Sequence, residues 1–202
     1  MELNKKILIG IEYVNDKALA TVICTLDEVG GNLEFLTADN HKDADELIKQ
    51  QILSKSPYFV FINAPTSMPR AFSDDDGEDF FFRECDKKTN CPSPMLNGEL
   101  LARTIRLKRH VRNLSDIKLM ETYPAFLAKK LDLTQNGWGK DEDIDIRKVL
   151  RKLQDRFEYP LDHHQINTRQ HLNALLCLIS ALRYKHQESE SFGNADEGLI
   201  IV

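Results

Sequence analysis

The chain has 202 residues, 42% of them hydrophobic and 29% charged, with a formal net charge of −5. That balance predicts one globular domain over residues 1–202, excludes a disordered chain, and supplies no global positive field to draw nucleic acid. The longest apolar run, 174–182, is far below the roughly 20 residues of a membrane-spanning helix. With no small-residue cleavage site near the start, a cytoplasmic protein without a membrane partner is expected.

The first forty residues read as three antiparallel strands. Segments 7–14 and 18–26 are joined by Asn15-Asp16-Lys17, and Gly30-Gly31-Asn32 turns the chain into a third strand at 33–37. Asn40, with Asp43 three residues on, is positioned to cap a helix whose face carries Ala44, Leu47, Ile48, Gln51 and Ile52, and Ser56-Pro57 stops it. The apolar run 58–63 then reads as a buried central strand.

A stretch with little periodicity follows, an insertion at about 64–96. Segments of this length inside compact domains are usually functional. It holds the acidic run Asp74-Asp75-Asp76-Gly77-Glu78-Asp79, read as an acidic lid without the ligand spacing of a calcium loop, and Phe80-Phe81-Phe82, expected to anchor that loop on the core. Helical spacing returns at 97–114, where Leu100, Leu107, Val111 and Leu114 share a face. Arg103, Arg106, Lys108, Arg109 and Arg112 lie around the rest of that helix, as a solvated surface or a phosphate-contacting one.

A strand at 117–122 gives way to a helix from Pro124 to Leu131, with proline suited to the first helical position. Trp138-Gly139 falls in a loop, helices are predicted over 141–157 and 166–186, and 199–202 is a last short strand. Cys24, Cys85, Cys91 and Cys177 are scattered and expected to be reduced, without the paired spacing of a structural zinc site. His163-His164 likewise lack an H-E-x-x-H pattern. The order of elements predicts an α/β fold: a mixed sheet of three antiparallel strands followed by helix-strand units, flanked by helices.

Five local patterns occur in a definite order: Gly10-Ile11-Glu12, Ile62-Asn63-Ala64-Pro65, Arg83-Glu84-Cys85-Asp86, Glu121-Thr122-Tyr123-Pro124 and His171-Leu172-Asn173-Ala174, with Gly198-Leu199-Ile200-Ile201 near the end. The set resembles the family catalogued as domain of unknown function 429, predicted nucleases of ribonuclease H-like fold, over almost the whole chain. The resemblance implies a five-stranded ribonuclease H-like sheet. It also implies a carboxylate cluster at strand ends, at positions where this chain has Glu12, Asn63, Glu121 and Asn173. The family pattern favours aspartate at three of these; only Glu121 keeps its expected identity.

Metal-assisted phosphodiester hydrolysis needs several carboxylates in one cleft to hold Mg²⁺ or Mn²⁺, which activate water and neutralise charge on the phosphate. Carboxyl ends of neighbouring strands in an α/β sheet converge on such a cleft. The resemblance thus implies Glu12 and Glu121 as metal ligands and catalytic groups and Asp86 as a supplementary carboxylate. Arg83, Asn63 and Asn173 face substrate in this reading, and nucleic acid is the implied partner. An amide oxygen carries no charge, so the two asparagines weaken any cation site. On the residues alone, Glu12 is a solvated or ion-paired strand end, Asn63 a turn residue and Asn173 an inward-facing helix residue. Two functions are therefore expected to compete: a divergent metal-dependent nuclease or phosphodiesterase, and a catalytically inactive ribonuclease H-like binding module. Oligomeric state is not legible.

Overall fold

Branched and aromatic side chains suited to a pleated, buried surface build seven strands. They are β1 (Ile7–Glu12), β2 (Thr21–Asp27), β3 (Asn32–Ala38), β4 (Phe59–Asn63), β5 (Leu119–Glu121), β6 (Ser191–Asn194) and β7 (Gly198–Ile201). The structure, a computed structural model, describes residues 7–15, 19–38, 41–73, 77–114, 117–135, 137–138 and 144–202, without the side chains of residues 41–43 and 114. The expected cap at Asn40 with Asp43, the turn residues Asp16 and Lys17, the acids Asp74–Asp76, Leu114 as a face residue, Gly139 and the helix start at 141–143 lie outside the described residues.

The strands form one mixed sheet in the order β3-β2-β1-β4-β5-β7-β6. β1, β2 and β3 pair antiparallel in sequence, whereas β1–β4, β4–β5 and β5–β7 pair parallel and β6–β7 antiparallel. The sheet is therefore two strands wider than the expected five. The strand predicted at 199–202 joins it as β7, and β6 was hidden by a short polar segment, Ser-Phe-Gly-Asn, with no branched residue.

Helices flank the sheet: α1 (His41–Lys55), α2 (Glu84–Thr89), α3 (Gly98–Leu114), α4 (Pro124–Lys130), α5 (Ile146–Gln154) and α6 (Arg169–Lys185). α5 begins later than predicted because Asp145 caps it, its side chain accepting the Lys148 N–H at 3.0 Å. α2 lies inside the insertion, where no helix was expected; at six residues it is too short to show a face.

Alternation along the strands sorts the core onto two faces. Ile9, Ile11, Val60, Ile62 and Leu119 pack with Ala44, Ile48 and Ile52 of α1 and Leu107 and Val111 of α3. Leu8, Phe61 and the apolar stripe of α6 form the other cluster. α6 lies so close to β1 that only glycine fits at position 10: a Cβ there would sit 2.2 Å from Leu178 N and 2.4 Å from Ala174 O. All four cysteines are free thiols. No helix among the described residues is long and apolar enough to cross a membrane.

Candidate functional site

Parallel pairing brings three strand ends together. Glu12 is level with Asn63 across β1–β4, and Ile62 is level with Glu121 across β4–β5. They open onto a cleft of about 360 Å³ lined by Glu12, Asn63, Glu121, Tyr123, Ser93 and Leu96, among others. Glu12, Asn63 and Glu121 are thus on one edge of the sheet, as expected.

They do not form one ligand cluster. Register partners share a face of a sheet, so Glu121 lies with Ile62 on the α1/α3 side, while Glu12 and Asn63, one residue on, turn to the α6 side. β1 and β5 are also separated by β4, which places their backbones roughly 9–10 Å apart.

Glu12 is buried, and each of its oxygens accepts from one amide: Asn63 Nδ2 at 2.6 Å and Asn173 Nδ2 at 2.9 Å. The close seating of α6 on Gly10 places Asn173 over this strand end. Burial raises the carboxyl to about 7, against the opposing pull of the two amides and of Arg169. Asn173 Oδ1 is buried and has no hydrogen-bond partner among the described residues. The site therefore combines a carboxyl that exchanges its proton near neutrality with an acceptor oxygen beside it.

Glu121 has a different environment. Its Oε2 accepts from Thr66 N at 2.8 Å, Thr66 Oγ1 at 3.1 Å and an Arg83 terminal nitrogen at 2.8 Å, and its Oε1 accepts from the other terminal nitrogen at 2.6 Å. Arg83 is fully buried. Its Nε and one terminal nitrogen also donate to Asp86, at 3.0 and 2.7 Å, and the other donates to Ser67 Oγ at 2.9 Å. All five guanidinium N–H groups are thus taken by protein oxygens, and none is left for the substrate phosphate to which the sequence reading assigned Arg83. Burial opposes the charge, but Glu121 and Asp86 more than offset it, so the guanidinium holds its proton more firmly than usual.

Asp86, read as a supplementary metal ligand, is instead the fully buried partner of Arg83. It also accepts the Arg83 backbone N–H at 2.9 Å to close a capping box at the start of α2. Gly198 admits this cluster: a Cβ there would stand 2.2 Å from Ser67 Oγ. Thr66 and Ser67 were missed in the sequence, although they directly follow the Asn63-Ala64-Pro65 turn that signalled a site.

The basic segment of α3 divides. Arg103 is buried, donating to Asp45 Oδ1 at 2.7 Å and stacking over Tyr13, whose hydroxyl also donates to Asp45; Arg106 reaches the other Asp45 oxygen at 2.7 Å. Lys108 donates to Thr66 Oγ1 at 3.2 Å, and Arg109 and Arg112 are exposed. Phe80, Phe81 and Phe82 do not anchor the insertion on the core; all three are exposed.

A divalent cation of the kind implied by the family resemblance calls for several convergent, ionised oxygen ligands. At this cleft Glu12 is held toward its neutral form and presents both oxygens to amide N–H groups, while Glu121 is neutralised by Arg83. The residues present do not fit Mg²⁺ or Mn²⁺. Among the described residues, the grouping of potential metal ligands lies elsewhere, at exposed Asp162, His163 and His164.

No protein-family model matches the chain, and no curated protein matches it either.

Proposed function

We propose that the chain is a ribonuclease H-like hydrolase of phosphodiesters, a divergent nuclease in which proton transfer at Glu12 replaces the chemistry of a carboxylate-bound metal. The fold part of this reading is supported by the run β3-β2-β1-β4-β5, three antiparallel strands continued by parallel ones, to which β7 and β6 are added. The single observation that carries the chemical part is the buried Glu12 carboxyl in the cleft, with a pKa near 7 and an amide on each oxygen.

A general base works best when its pKa lies near the working pH. Ionised Glu12 takes the proton of the attacking hydroxyl as the new P–O bond forms, and returns it to the departing oxygen as the old P–O bond breaks. Asn63 and Asn173 hold the carboxylate in place, and Asn173 Oδ1 accepts a hydrogen bond from the nucleophile or a substrate hydroxyl. Arg83 and Glu121 keep the opposite wall of the cleft rigid.

The saturation of Glu121 by Arg83 favours a second reading, a binding module that keeps the architecture without turnover. Hydrolysis of single-stranded RNA, single-stranded DNA and bis(p-nitrophenyl) phosphate in EDTA separates the two. The hydrolase reading expects activity that survives EDTA and falls by about 10²-fold or more in Glu12→Gln. Equal rates in wild type and Glu12→Gln, or activity strictly dependent on added Mg²⁺, overturn it. No cleavage of any of the three substrates selects the binding module.

A further inference from the structure

The insertion carries a surface that the cleft chemistry does not use. Phe72 is 46% exposed, Phe80 50%, Phe81 65%, Phe82 39% and Leu96 80%. They are not scattered: the Phe72 and Phe80 rings meet edge to face at 5.4 Å, and Ser93, which caps the 3-10 turn carrying Leu96, donates to the Phe81 carbonyl. Asp79 holds the arrangement. One of its oxygens accepts the Phe81 and Phe82 N–H groups at 2.8 and 2.9 Å, and the other pairs with Lys87 at 2.6 Å. A contiguous exposed aromatic surface on a folded chain marks an interaction site.

Its electrostatics identify the occupant. From 72 to 82 the sequence is Phe-Ser-Asp-Asp-Asp-Gly-Glu-Asp-Phe-Phe-Phe, with five carboxylates and no Lys, Arg or His, the three central aspartates entering by sequence alone. Nucleic-acid phosphates and anionic lipid are repelled by such a segment. A second copy docking patch to patch would set five carboxylates against five, and like charges facing each other across an interface are costly. We propose that this surface docks a protein partner through a segment that presents apolar side chains flanked by lysine or arginine. Because Ser93 and Leu96 also line the cleft, the bound segment lies along its rim and limits access to Glu12. The docking itself does not depend on the hydrolase reading.

The test uses the full chain and a fluorescent amphipathic helical peptide of leucine and lysine, followed by anisotropy. Binding is expected to weaken with salt, and to fall about tenfold or more in the double variant Phe81→Ser, Leu96→Ser and in Glu78→Lys. Leu53→Ser and Glu46→Lys, exposed changes on α1, are expected to leave it unchanged. The proposal is overturned if the Phe81, Leu96 double variant binds like wild type, or if the α1 changes weaken binding equally. It is also overturned if a leucine–glutamate peptide, oligouridylate or phosphatidylserine vesicles bind as well as the basic peptide. Sedimentation revealing a dimer that the double variant abolishes would assign the surface to a second copy instead.

Discussion

Glu12 and Glu121 line the same cleft but leave the sheet on opposite faces. Glu12 is held by two amides from β4 and α6, and Glu121 by the guanidinium of Arg83. The two carboxylates share no hydrogen-bond partner, and each has chemistry of its own: a proton exchanged near neutrality at Glu12, a fixed charge at Glu121.

Glu12 should make stability fall with rising pH across a defined window. Its carboxyl rises from an ordinary 4.5 to about 7 in the fold. Below about pH 4.5 the folded and unfolded chains both carry the proton. Between there and about 7 the unfolded chain ionises while the folded one keeps its proton, so stability drops as pH rises, by a total on the order of 3 kcal/mol above the upper value. Urea midpoints measured from pH 4 to 8.5 should show this loss in wild type, and Glu12→Gln should lack it. Parallel curves would place the titration elsewhere.

Asn173→Ala removes the foremost of the interactions that favour ionised Glu12. The carboxyl should then titrate above about 7, with any pH-rate profile shifted to the alkaline side. Carbon-13 chemical shifts of labelled glutamate, followed through a pH titration, read this directly; an unchanged midpoint contradicts it.

Arg83→Met leaves Glu121 and Asp86 buried without their cation. Breaking a buried pair from one side costs about 3–5 kcal/mol. Chemical denaturation should register a loss of that size. Arg83→Lys should lie nearer to methionine than to wild type, because an ammonium has three donors where the guanidinium uses five.

Gly10→Ala tests the seating of α6. The added methyl meets Leu178 and Ala174 backbone atoms, which cannot rotate away, so the helix must move. A loss of about 1–3 kcal/mol is expected from such overpacking. The Asn173–Glu12 contact should weaken with it, lowering any Glu12-dependent rate in the same variant; a fully stable Gly10→Ala protein would contradict the packing account.

Local chemistry announced most elements of the fold. The turn at Gly30-Gly31, the proline that starts α4, and the spacing of Ala44, Ile48 and Ile52 each act over a few residues, and the structure carries them as turn, first helical residue and buried face. β6 and α2 escaped because four polar-leaning residues and six residues respectively hold too little periodic signal.

Within the site, the sequence by itself determined which residues stand at the strand ends, since Glu12, Asn63 and Glu121 each close a branched, apolar run. It did not determine which face each side chain takes or what neutralises it. Those depend on inter-strand register, where a shift of one residue reverses the face, and on Arg83 and Asn173, which meet their carboxylates 38 and 161 positions away. Only the tertiary structure brings such groups together, because contacts of that separation leave no periodic trace along the chain.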